Sequence, residues 1–259
     1  NVNAVSTQVS AKTANLAATI GGAVSGAADV VNVQSDAAKI NQGIAIVSAG
    51  GTVNVAAGTY NESVTVNKAG VSLLGAKSGV AVTDGSRNAG ESIITPNSPG
   101  VLVTSNGVTV DGFTITGADQ GVDVVGANGV TVSNNIINNS SLSGIHVSSS
   151  NGANISGNLI NGSVYDGIHI ENSNSATVSG NSIYASGVAG IPNERGNGIL
   201  LSHSNNSDVL NNTIDGSLWD AVKAVFSNNL TVQGNTISNV VRAGVSVENS
   251  ASAVIDNNS

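Results

Sequence analysis

Residues 144–166 read GIHVSSSNGANISGNLINGSVYD, and the chain repeats this phrase with small changes throughout its second half. Ile145 and Val147 flank His146, Ile155 falls in a second strand-like stretch, and Leu159 with Ile160 falls in a third. Alternation at period two over a few residues predicts a short β-strand, and the Gly, Asn and Ser between the stretches predict left-handed bends. Three such strands cannot enclose a core alone. The units must therefore stack, each hydrogen-bonding to the next, which is a parallel β-helix.

The register is set by asparagine. Asn135, Asn158, Asn181, Asn212, Asn235 and Asn258 are spaced by 23 residues, except for one gap of 31 between Asn181 and Asn212. The extra residues fall within ASGVAGIPNERG, residues 185–196. Each unit opens on Gly121, Gly144, Gly167, Gly198, Ala221 or Gly244, followed at once by an alternating apolar run. Helical repeats would need helix formers at a period of about 3.6, and leucine-rich repeats would need several fixed leucines per unit. Neither pattern is present.

Counting backwards, VTSNGVTVDGFTI (residues 103–115) matches VGANGVTVSNNII (residues 125–137), with Phe113 in the place of the ladder asparagine Asn135. The predicted fold class is all-β: a β-solenoid of about nine coils, each of roughly 23 residues and about 4.8 Å tall. Residues 35–51, SDAAKINQGIAIVSAGG, predict a short N-terminal capping helix with Ser35 or Asp36 as N-cap, Ala38, Ile40 and Ile44 inward, and a glycine stop. The expected β-helix domain is 35–259. Residues 1–34 read equally as an arm, a linker or an extra coil.

The chain has 259 residues, no Cys, no Met and only 2% aromatic residues, so small β-branched side chains must fill the interior. Disulfides and thiolate chemistry are excluded. Eight Lys and Arg are scattered singly in a chain of net charge −8, which argues against nucleic acid as a partner. No apolar run is long enough for a transmembrane helix, and no signal peptide is visible. The last unit stops at DNNS without a capping element, so further domains of the same chain are expected.

With the register known, residues that share a face can be listed. The position between the two inward residues of each opening strand holds Asp123, His146, His169, Leu200, Lys223 and Ser246. Four of these six are ionisable, in a chain where only 9% of residues are Asp, Glu, Lys or Arg and three are His. That column, with the flanking position just before each opening glycine or alanine, nominates Asp166, His169, Asp220, Lys223 and His146 as catalytic candidates. Tyr165-Asp166 and Trp219-Asp220 occupy equivalent places two coils apart, and an aromatic face beside a carboxylate suits a sugar ring. Tyr165, Trp219, Glu171, Arg195, Arg242, His203 and Asp123 are accordingly the candidate substrate-binding residues, with Glu194 and Arg195 of the insertion walling a groove. The asparagine ladder itself reads as structural.

At this point the chain resembles the right-handed parallel β-helix (pectate-lyase-like) superfamily of carbohydrate-binding proteins and sugar hydrolases. The resemblance rests on VNVAAGTYNESVTVNKAGVSLLGA (residues 53–76) and on the later Gly-Ile-x-Val/Ile and Asn-x-Ile units, and covers residues 35–259. It implies the right-handed fold and a polysaccharide or cell-surface glycan as partner. Motifs of pectin methylesterases and polygalacturonases are absent. The Asp-Pro-His of alginate epimerases has only Tyr165-Asp166-Gly167-Ile168-His169 as its nearest counterpart.

The expected function is an extracellular or cell-surface domain of bacterial or phage origin that binds and can degrade a polysaccharide. Two chemistries are open: inverting hydrolysis by Asp166 and Asp220, or lyase or epimerase chemistry using His169, Lys223 or Tyr165 as base and Arg195, Arg242 or calcium against the carboxylate. No cofactor is dictated, and no tight Asp cluster marks a calcium site. The competing readings are a non-catalytic structural or adhesive module of a large surface protein and a phage tailspike fragment.

Overall fold

Each coil turns at residues held in the left-handed backbone region. In the coil opened by Gly144 these are Ser149, Gly152, Gly157 and Gly162, with φ between 52° and 75°. Between them run three strands, Ile145–Ser148, Asn154–Ser156 and Leu159–Asn161. Small or polar residues occupy most such bends because a larger Cβ crowds the backbone there. The computed structural model describes residues 7–83, 87, 89–187 and 195–259.

Stacking these coils generates three parallel sheets among the described residues. Sheet I has eight strands, from Val64–Val66 to Val245–Glu248. Sheet II has eleven, from Thr13–Leu16 to Val254–Asp256, and sheet III has eight, from Gly58–Tyr60 to Thr236–Ser238. Pairing is in register through the insertion: Ile145 pairs with Ile168 and Ile168 with Ile199, so His146, His169 and Leu200 stand in one outward column. Inward, rows such as Ile137, Ile160, Ile183 and Ile214 fill the lumen and are fully buried. At roughly 1.5–3 kcal/mol for each fully buried Val, Leu or Ile, these rows are the main favourable contribution to folding.

The glycine that opens each coil is fixed by close approach. A Cβ on Gly144 would collide with Ile160 Cγ2 and with the Gly167 carbonyl oxygen. The ladder asparagines satisfy backbone N–H groups that the strands leave unpaired. Asn158 Oδ1 accepts from Asn135 N (3.0 Å) and Asn135 Nδ2 (3.1 Å), and Asn158 Nδ2 donates to Val132 O (2.8 Å). Phe113 begins the ladder: its ring is buried and its N–H donates to Asn135 Oδ1 at 3.0 Å.

Two further ladders run beside it. Buried Ser150, Ser173 and Ser204 each donate their N–H to the serine hydroxyl of the next coil. Exposed Asn106, Asn128 and Asn151 each accept the N–H of the next coil's asparagine.

At the N-terminal side, the helix spans Ile40–Ile46, with Ala38, Ile40 and Ile44 buried as expected from the sequence. Its N-cap is Lys39, with no side-chain cap bond; Glu62 serves instead, accepting from Ile40 N at 2.8 Å and Asn41 N at 3.2 Å. The helix ends by running directly into the strand Val47–Val55 without a glycine stop, and Lys68 Nζ donates to the carbonyls of Ala45 and Val47. Both caps come from the following coil, so no local pattern announces them. Before the helix, strands Thr13–Leu16 and Ala28–Val33 extend sheet II, and Thr7–Val9 pairs with Val24–Gly26.

Removing one rung should be costly. Asn158→Ala leaves buried donors and acceptors unpaired and is expected to destabilise the domain by about 3 kcal/mol, whereas Asn154→Ala, on the exposed face of sheet II, should change stability by less than ~0.5 kcal/mol. Urea unfolding of the two variants checks the contrast.

Candidate functional site

Two adjoining depressions lie on the outer face of sheet I. One, of about 220 Å³, is lined by Gln120, Leu142, Ser143, His146, Tyr165, His169, Glu171 and Arg195. The other, of about 270 Å³, is lined by Asp166, His169, Glu171, Arg195, Leu200, Ser202, Lys223 and Val225. His169, Glu171 and Arg195 border both. A third depression, of about 320 Å³ and lined by residues between Asn32 and Ser78, has no titratable side chain.

Parallel pairing puts Asp123, His146 and His169 on three successive strands of sheet I. His146 Nδ1 lies 2.8 Å from Asp123 Oδ1, and its Nε2 lies 3.4 Å from Glu171 Oε1. Burial alone would lower the pKa of His146, but the hydrogen bond and charge of Asp123, joined by Glu171, outweigh it and raise the pKa above the ordinary 6.5. The ring of His169 stands 5.3 Å from that of His146, tilted by 53°. Burial lowers the pKa of His169, and the cationic His146 and Arg195 push it the same way, against the raising effect of Asp166 and Glu171. The two neighbouring imidazoles are thus pushed in opposite directions, His146 toward its charged form and His169 toward its neutral form, which is how a site separates an acid from a base.

Asp166 and Asp220, which precede the opening strands, have a different task from the outward column of Asp123, His146 and His169. Asp166 Oδ1 accepts from Gly196 N, Asn197 N and Asn197 Nδ2 at 2.9–3.2 Å. Asn197 Oδ1 in turn accepts from Asp220 N at 3.2 Å, and Asp220 Oδ1 accepts from Ala243 N at 3.0 Å. These three residues form a short ladder of their own at the entrance to sheet I. Asp166 keeps Oδ2 at 4.0 Å from His169 Nδ1, and burial raises its pKa against the lowering pull of His169 and the Asn197 and Gly196 donors. Asp220 is fully buried, lines neither depression, and its Oδ2 has no hydrogen-bond partner among the described residues, with Arg242 Nη1 at 3.9 Å.

The remaining candidates divide between the depressions and their surroundings. Arg195 lies over the Tyr165 ring at 4.2 Å, at the border of both depressions. Lys223 holds its register position but is only 2% exposed, with Nζ 3.4 Å from Glu248 Oε1; a lysine can be so enclosed only beside a counter-charge. Trp219 lies outside both depressions, covered by Arg242 at 4.5 Å from the ring centre. His203 lies just past the strand Ile199–Ser202, stacked on Phe226.

Glu194 and most of the insertion lie outside the described residues. Sequence reasoning did not single out Asn197 as a rung, or Ser202 and Val225 as lining; the fourth residue of each opening strand was the signal that could have found the latter two. Among the described residues no group of three or more His, Asp or Glu converges as a metal site would. No described helix is long and apolar enough to cross a membrane.

A family model described as the right handed beta helix region matches residues 99–259. No curated protein matches the chain. Among solved structures, a mutant of the periplasmic alginate epimerase AlgG superposes with a TM-score of 0.51 at 15% identity, covering 87% of this chain and 67% of that one. An alginate lyase from Paenibacillus sp. str. FPU-7 gives 0.49 at 14% identity, covering 88% and 99%. Tailspike protein 2 of the Escherichia coli O157:H7 bacteriophage CAB120 gives 0.47 at 10%, covering 86% and 30%. At such identities the likeness is one of fold.

The histidine pair makes a pH prediction. In an NMR titration His146 should titrate above 6.5 and His169 below it. A raised folded-state pKa stabilises most below the unfolded value of 6.5. The advantage of the unaltered protein over His146→Gln should therefore be full below pH 6.5 and fade as pH rises through the folded value. His169 has the opposite sign: its lowered pKa favours the fold above 6.5, and that contribution is lost as pH falls through the lowered value.

Proposed function

The chain belongs to the right-handed β-helix family, and on that framework we propose that it binds an acidic polysaccharide on the outer face of sheet I and carries out proton-transfer chemistry at a uronate residue. One observation carries the reading: His146, His169, Tyr165 and Arg195 line a single depression, where the pKa of one imidazole is raised and that of the other lowered. The groove follows the two adjoining depressions. A polymer substrate of this kind is met outside the cytoplasm, so the domain acts at the cell surface or beyond it.

The chemistry follows from the roles open to each group. Neutral His169 accepts the proton on the carbon next to the uronate carboxylate; among the described residues no hydrogen bond ties down its ring. Arg195 and cationic His146 stabilise the negative charge that develops on the carboxylate. Asp123 is a positioning residue that keeps His146 charged. The carbanion-like intermediate then either expels the neighbouring glycosidic oxygen, forming a carbon–carbon double bond while the leaving oxygen takes a proton from His146 or Tyr165, or itself takes the proton of one of these groups on the face opposite His169. The first outcome is a lyase and the second an epimerase.

Hydrolysis by Asp166 and Asp220 has less support, since Asp220 is enclosed and both carboxylates accept backbone N–H groups. The same ladder use of Asp166 favours the second reading, a non-catalytic adhesive module.

Incubation with alginate and polygalacturonate should produce either absorbance from unsaturated ends or a changed uronate composition by NMR. His169→Ala should lower the rate about 10²–10⁴-fold, and Arg195→Ala should chiefly raise KM. New reducing ends from neutral glycans without unsaturation would replace this reading with hydrolysis. No turnover of any polymer, with binding retained, would favour the adhesive module.

A further inference from the structure

After six of the eight strands of sheet I, from Val122–Val125 to Val245–Glu248, the chain turns at one left-handed residue. Down the column these are Gly126, Ser149, Asn172, His203, Phe226 and Asn249, with φ of 64°, 52°, 49°, 52°, 51° and 50°. Glycine and asparagine suit this conformation, whereas a bulky aromatic side chain at positive φ is an outlier that raises the energy of the fold. Burial does not compensate at Phe226, which is 50% exposed. Its ring lies against His203, with centroids 5.1 Å apart and planes 24° from parallel. His203 is itself exposed, with Nδ1 3.0 Å from Ser202 Oγ. Two successive coils thus depart from the bend residues of their neighbours in the same way, and together they build an exposed stack of two aromatic rings, one on each rung.

The position of that surface suggests its use. Ser202 and Val225, the residues immediately before His203 and Phe226, line the depression that also holds His169 and Lys223. The stack therefore adjoins the depression at the C-terminal ends of the strands, whereas Tyr165 precedes its strand at the other end. A half-exposed aromatic ring next to charged and hydroxyl side chains fits a pyranose ring, which offers apolar C–H faces and a polar rim.

We propose that the His203–Phe226 stack is an aromatic platform that seats a further sugar ring of the polymer bound in the depression. This rests on the polysaccharide reading above and extends it: the ligand crosses sheet I from Tyr165 to Phe226, and recognition requires an oligosaccharide longer than the depression itself. The platform explains why aromatic rings stand where asparagine would relieve the backbone.

Phe226→Asn restores the residue type of the neighbouring bends and removes the platform, so its effects on stability and on binding should separate. Calorimetric titration with alginate oligosaccharides from dimer to hexamer, and with cello-oligosaccharides of the same lengths, provides the readout. The variant should melt no lower than the unaltered protein, yet bind the alginate hexamer roughly five- to ten-fold more weakly, with a reduced ratio of hexamer to dimer affinity. Phe226→Trp should restore the length dependence. Unchanged hexamer affinity in Phe226→Asn would overturn the platform and leave the uronate reading standing. Binding of cello-oligosaccharides alone, weakened by the same substitution, would keep the platform and remove the uronate. Failure of the unaltered protein to bind any of them would overturn both.

Discussion

The structure depends on one constraint: every backbone N–H and C=O that leaves a coil must find its partner in the coil beside it. Parallel strands and the bend residues themselves meet this requirement, but just past the bends N–H groups such as those of Ser150 and Asn158 have no backbone partner among the described residues. Side-chain amides and hydroxyls close the gap. A buried asparagine both donates to a carbonyl and accepts the N–H of its counterpart, so each rung fixes the height of the next. Because the satisfaction is reciprocal, a coil cannot slip by one residue without orphaning buried groups along the whole column.

That rule positions the chemistry. A register enforced at one corner of the triangle is enforced on the opposite face, which brings Asp123, His146 and His169 into line and sets the imidazoles 5.3 Å apart. It also recruits groups that could otherwise react. Asp166, Asn197 and Asp220 repeat the ladder's logic at the entrance to sheet I, which is why Asp220 is enclosed while Asp166 keeps a single oxygen toward His169. The contrast between the histidines then follows from how burial is offset: His146 is hydrogen-bonded to Asp123 and close to Glu171, whereas for His169 burial, joined by the cations His146 and Arg195, outweighs the more distant Asp166 and Glu171.

Much of the fold was legible from spacing alone, since a solenoid repeats its contacts at the period of its sequence. Asn158 and Asn181 could be aligned without coordinates, and the outward column from Asp123 to Lys223 follows by counting. The helix caps were not legible, because Glu62 and Lys68 reach back from the following coil. Nor were the serine and exposed asparagine ladders, whose residues resemble ordinary loop composition. In the site, counting identified the residues that share a face but not their exposure or partners. Lys223 and Ser246 occupy equivalent places, and only packing reveals that the lysine is enclosed beside Glu248.

The sequence by itself determined the architecture, the register and the membership of each column, because in a stack of equal coils a residue's neighbours are those one period away. Only the tertiary structure decided which members of a column remain available for chemistry. Burial, carboxylate placement and the direction of each amide depend on side chains from adjacent columns and from the insertion, and these obey no period. Periodicity transmits position; protonation and access are set by the local departures from it.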